Sequence, residues 1–495
     1  MLFNSLRYVI FLPIVVTLYF SLPRRWRNLM LLIASYYFYM CWKPEYIVLI
    51  VASTVVDYVA GLKMGATDDR RLRRRYLIMS LVMNLGLLFT FKYFNFFNAS
   101  LRSILDHFHI PYGFEGLHVL LPVGISFYTF QTLSYTIEVF RGHQKPERNF
   151  LTFALYVSFF PQLVAGPIER SVNLLPQFYR EHRFQIDRAV SGLRLIMWGM
   201  FKKVVIADRV AVVVNTVYND PYSYHGVAYL FATVLFAFQI YCDFSGYSDI
   251  AIGSARILGF DLMLNFDRPY YAKSIAEFWK RWHISLSTWF RDYLYISLGG
   301  NRVVRWRWYM NLFLTFVISG LWHGANWTFV IWGALNGFYL IAEIVFARPQ
   351  KWLLNRLGIE HHQWRYKIPA VVWTFSLTCL AWIFFRANTV HDAFHIVAHL
   401  GDGVPSFFKS LLHGDLAVVS GVLKPLGLSR MDLFVVLAMI AVMEAVHFLQ
   451  RDHRLGARLN GWPRPVRWAA YYAVLAFTLF FGAFNHSQQF IYFQF

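Results

Sequence analysis

Apolar runs long enough to cross a bilayer recur along nearly the whole chain, and they constrain its fold more than any other feature. A spanning helix needs about 20 mostly apolar residues to match a hydrocarbon core of roughly 30 Å. Such runs lie near residues 8–20, 28–41, 46–62, 76–98, 118–140, 227–241, 308–346, 368–386, 431–449 and 467–484. Counted by window hydropathy, they predict an all-α integral membrane protein with about eleven transmembrane helices. Composition agrees: 57% of the residues are hydrophobic and 15% charged, whereas about a quarter are charged in soluble domains.

A net charge of +20 could indicate a nucleic-acid partner, but the basic residues sit in short loops between apolar runs, not on one soluble face. No nucleic acid is expected. As topology signals the loops alternate: "SLPRRWRN" carries three basic residues, the loop at Lys43 one, "KMGATDDRRLRRR" six, "LRSILDHFHIPYGFEGLH" only Arg102, and "RGHQKPERN" three. Basic loops stay in the cytoplasm, so the N-terminus is predicted to face outward. The first run has its basic cluster after it and lacks an A-x-A cleavage pattern, so it is expected to remain a span.

There is no repeat of fixed period and no long soluble segment, which predicts one transmembrane domain over 1–495. Cys41, Cys242 and Cys379 form no C-x-x-C pair and read as packing residues. Unusual polar interruptions fall at 161–187, at 243–307 and after Arg386. Within the second, "AKSIAEFWKRWHISLSTWFRDYLYISLGG" predicts a helix with Ser274 as N-cap, Glu277 at capping-box distance and Gly299–Gly300 as the stop. Phe278, Trp282, Leu286, Trp289 and Tyr293 fall on one side, with Lys280, His283, Ser287 and Arg291 on the other. That pattern predicts an interfacial helix with His283 facing the cytoplasm.

The stretch "SGLWHGANWTFVIWGALNG" sets His323 between glycines, about 15 apolar residues after Trp308, or roughly 22 Å of helix. The chain is then still at membrane depth, and basic flanks on both sides of 308–346 predict a break or hairpin there. Gly320 and Gly324, and Gly333 and Gly337, are spaced to let helices approach closely. Polar groups at this depth are kept for function or turned toward a wet cavity. Desolvation favours the neutral imidazole, a base able to take a hydroxyl proton; the alternative is a ring satisfied by a backbone carbonyl or by Asn326.

The sequence has no G-x-S-x-G, P-loop, Rossmann fingerprint or H-E-x-x-H, which favours direct attack of an acceptor hydroxyl on a bound thioester. The stretches "LPVGISFYTFQTLSYTIEVFRG" at 121, "FFPQLVAGPIER" at 159, "DFSGYSDIAIGSARILGF" at 243, "NFDRPYYAKSIAEFWKRWHISLSTWFRDYLYISLGGNR" at 265, "SGLWHGANWTFVIWGALNG" at 319 and the terminal "FIYFQF" together resemble the membrane-bound O-acyltransferase family. The resemblance is to the branch that acetylates exopolysaccharides such as alginate. It implies a multi-helix fold with re-entrant or interfacial helices around a tunnel, with a catalytic core at about 120–345. His323 matches the principal catalytic histidine of the family, and His283 its second.

What the resemblance implies beyond this is a cytoplasmic thioester donor, acetyl-coenzyme A or a similar acyl thioester, with no permanently bound cofactor and no metal. It also implies a periplasmic acetyltransferase partner that completes transfer to the polysaccharide. Asp243, Asp249, Arg268, Trp322, Asn326 and Gln162 are the further donor or tunnel candidates, with an ion pair to Arg256 as the structural alternative for the two aspartates. Two other readings are D-alanyl transfer to teichoic acid from an acyl carrier protein, and a polysaccharide exporter using intramembrane His and Asp in a proton relay.

Overall fold

The computed structural model describes residues 1–164, 166–427, 429–450, 461–484 and 490–491. Among them the regular elements are all helical. Among the described residues six helices are long and apolar enough to cross a membrane: Pro44–Gly65, Arg70–His107, Val227–Ile257, Trp327–Arg356, Trp364–Arg386 and Arg430–Leu449. The last four residues of the terminal "FIYFQF" lie outside the described residues.

The chain forms two compact units, one of Met1–Ile196 with Tyr247–Leu264, the other of Met197–Gly246 with Asn265–Phe495. In the first unit, buried Asp57 accepts hydrogen bonds from Ser80 Oγ at 2.5 Å and from Asn84 Nδ2 at 2.9 Å, joining helices Ile47–Gly65 and Arg70–Leu88. A polar group within the hydrocarbon needs such partners in neighbouring helices.

In the second unit the break expected at His323 is present. Helix Arg305–His323 ends there, three residues turn, and helix Trp327–Arg356 returns. Asn326 caps the returning helix, its Oδ1 accepting from Thr328 N at 3.0 Å. Glycine lets the two helices touch backbone to backbone: a β-carbon at Gly320 would run into the carbonyl oxygen of Phe329, and one at Gly333 into that of Phe316. Because neither backbone oxygen can swing aside, Gly333→Ala is expected to destabilise the protein by about 1–3 kcal/mol. A melting temperature in detergent equal to that of the parent would contradict this.

The interfacial helix predicted over 274–298 is corrected by the structure. Ser274 does cap it, accepting from Glu277 N at 3.1 Å, but helix Ile275–Arg281 stops after seven residues. His283 adopts φ +42°, in the left-handed region, and a second helix, Ile284–Trp289, leaves in a new direction. The contacts of this segment trace a re-entrant hairpin. Glu343 accepts from the amide of Ala276 at 3.1 Å, Trp279 Nε1 donates to Asn336 at 3.2 Å, and His283 reaches Trp322. The chain then descends until Asn311 Nδ2 donates to the carbonyls of Leu298 and Gly300. His283 therefore sits at the apex, fully buried, rather than facing the cytoplasm.

A helical stretch over 186–219 is absent from the predicted spans. It runs as Ile186–Met200, a π segment Phe201–Ala207 and Asp208–Asn219. Its basic residues Arg188, Arg194, Lys202, Lys203 and Arg209 lower its hydropathy. In the second unit these charges are answered from within the protein: Lys202 Nζ donates to Ser245 Oγ at 2.8 Å, and Lys203 enters an ion cluster.

Candidate active site

Asn265 anchors His283. Asn265 Oδ1 lies 3.1 Å from its Nδ1 and also accepts from Ser285 Oγ at 2.7 Å and Ser285 N at 3.3 Å. An amide oxygen only accepts, so Nδ1 carries the hydrogen and Nε2 keeps the lone pair. The ring is 0% exposed, edge-on to Phe244 at 4.6 Å between centroids. Backbone bonding supports the same geometry, with Ile284 N donating to Asn265 O at 2.9 Å.

His323 is 3% exposed at the end of its helix and lies in an aromatic cage. The centroids of Trp322, Trp332 and Phe385 are 5.0, 5.1 and 5.3 Å from that of the imidazole. Trp322 also lies 6.3 Å from His283 between ring centroids, so one indole contacts both histidines. Trp279 packs on Trp332 at 5.6 Å and lines a groove of about 440 Å³ between the re-entrant segment and the helical hairpin. Leu286, Phe290, Phe316 and Ser319 form much of its wall, with Lys280 and Arg291 also on its lining.

The remaining candidates fall in several places. Trp322 joins the two histidines, and Asn326 ties the hairpin turn to the carbonyl of Asn388 at 3.1 Å. Arg268, at φ +46°, pairs with Asp267 at 2.9 Å. Asp243 pairs with Lys203, whose Nζ lies 2.7 Å from both Asp243 and Asp208. Asp249 and Gln162 belong to the first unit. There Arg256 donates to Ser191 at 2.9 Å, and Gln162 Nε2 donates to the carbonyl of Tyr156 at 2.8 Å.

Sequence reasoning missed Asn265 as the anchor of His283, and Lys203 and Asp208 as partners of Asp243. A signal for the second was present, since "MFKKVVIADRV" places ionisable groups among valines, where they require partners. The cage residues Trp332 and Phe385 carried no such signal.

The family model for membrane-bound O-acyltransferases (MBOAT) matches residues 33–385. The chain is 44% identical to a probable alginate O-acetylase AlgI of Pseudomonas putida, over 78% of its own length and 76% of the relative's. It is 36% identical to a peptidoglycan O-acetyltransferase of Helicobacter pylori, over 80% and 79%. A teichoic acid D-alanyltransferase of Bacillus subtilis is 28% identical over 54% of this chain and 69% of that one.

Proposed function

The chain belongs to the membrane-bound O-acyltransferase family and is a multi-pass membrane O-acyltransferase, and from that premise we propose that it carries acetyl groups across the inner membrane to O-acetylate a secreted, alginate-like polysaccharide. The donor is a cytoplasmic thioester, acetyl-coenzyme A. A periplasmic acetyltransferase completes delivery to the polymer, and the N-terminus faces the periplasm.

The observation that carries this reading is the pair of buried imidazoles that both pack against Trp322. His323 acts as general base. It takes the proton of the attacking hydroxyl as the new C–O bond forms at the thioester carbonyl, and returns it to the departing sulfur as the C–S bond breaks. His283, held neutral with a fixed tautomer, orients the donor beside it. No acyl-enzyme is required.

Basic residues Arg302, Arg305 and Arg307 assign the start of helix Arg305–His323 to the cytoplasm, and 19 residues carry the chain roughly 27 Å from there. The groove lined by Trp279 and Ser319 suits the slender arm of a thioester, with Lys280 and Arg291 meeting its phosphate. Replacing both with alanine is expected to raise the donor KM by about tenfold with kcat nearly unchanged. Unchanged KM would remove the groove from the donor route.

The deciding assay incubates purified protein with labelled acetyl-coenzyme A or a D-alanyl-loaded carrier protein, together with a polyuronate and periplasmic acetyltransferases. Label is expected on acceptor hydroxyls from acetyl-coenzyme A. Transfer only from the D-alanyl carrier would instead support teichoic-acid modification.

A further inference from the structure

Lys203, Asp208 and Asp243 form a buried ion cluster, each 3% exposed or less. One carboxylate oxygen of Asp243 meets Lys203, and the other accepts the backbone N–H of Ile491 at 2.7 Å. Phe490, fully buried, packs on Phe244 at 5.7 Å between centroids, and Phe244 is the ring that stands edge-on to His283. Chain just before this point is tied to the π segment that holds Lys203 and to the helix after it: Ala483 N donates to the carbonyl of Val204 at 2.9 Å, and Arg209 to that of Phe481 at 2.9 Å.

We propose that Phe490 and Ile491 are positioning residues, a C-terminal wall latched by Asp243 that holds Phe244 against His283 and so fixes the imidazole plane. The inference rests on the role given to His283 above. Asp243 can accept the Ile491 amide strongly only as a carboxylate, and Lys203 keeps it one. Asn265 restrains the ring at Nδ1, and Phe244 packs perpendicular to the imidazole plane. Together they aim Nε2, and the second restraint depends on Phe490.

The test uses the full-length protein and reads the latch and the chemistry separately. Hydrogen–deuterium exchange should be slow in the C-terminal peptide containing Phe490–Ile491 and at least about tenfold faster in Asp243→Asn. Phe490→Ala should lower kcat about tenfold with donor KM within about twofold, because misaimed groups lose turnover rather than ground-state binding. Phe490→Leu should recover most of that loss, and the Phe490→Ala/Asp243→Asn double variant should be no slower than Phe490→Ala alone. Fast exchange in the parent, parental kcat in Phe490→Ala, or losses that multiply would each overturn the latch. A fully active His283→Ala protein with exchange still slow would overturn it through the reading it rests on.

Discussion

Replacing His323 with alanine is expected to lower acetyl transfer by about 10²- to 10⁴-fold, the usual contribution of a positioned general base, while the protein remains folded in the membrane. The ring lies in a cage of Trp322, Trp332 and Phe385, so truncation also leaves a cavity and lowers stability. Two further substitutions separate these effects. His323→Phe refills the cage and His323→Gln keeps a polar group, yet neither supplies a ring nitrogen able to accept the hydroxyl proton. Both should melt closer to the parent than the alanine variant and remain as inactive. Activity restored by phenylalanine would show that the imidazole serves only as packing.

Lys203→Met is expected to cost about 3–5 kcal/mol, the penalty for removing one partner of a buried ion cluster. Asp208 and Asp243 would then face each other without their shared cation, both buried. The neutral triple variant Lys203→Met/Asp208→Asn/Asp243→Asn should recover much of the loss, because no uncompensated charge remains. Melting in detergent, with the yield of monodisperse protein, reads both effects. A single variant as stable as the parent would mean that the cluster contributes nothing to the fold.

What could be read from the sequence follows the range of the interactions involved. Six of the expected spans and the turn at His323 were legible because hydropathy, basic flanks and an apolar run too short to cross all act locally. The backbone contact at Gly320 and Gly333 follows from the same four-residue spacing. His283 was misplaced because face-counting assumes an unbroken helix, whereas its own left-handed backbone bends the chain there, at a residue type other than glycine. A polar-face pattern therefore described a segment that in fact folds back on itself.

The hidden helical stretch over 186–219 shows the opposite failure. Lysines and arginines reduce its hydropathy, yet Lys203 is buried with carboxylates five and forty residues further along. No periodicity connects such partners. Asn265 is hidden for a similar reason: its loop position suggests turn formation, and only the fold brings its side-chain oxygen to His283.

Sidedness gives the sharpest test of the proposed transfer. Protein should be reconstituted in one orientation in sealed vesicles, with labelled acetyl-coenzyme A supplied only at the face bearing Arg302, Arg305 and Arg307, and acceptor only at the other. The parent should deposit label on the trans acceptor, and His323→Ala should not. Equal labelling by that variant, or labelling by the parent only when donor and acceptor share a compartment, would contradict a His323-dependent reaction across the membrane.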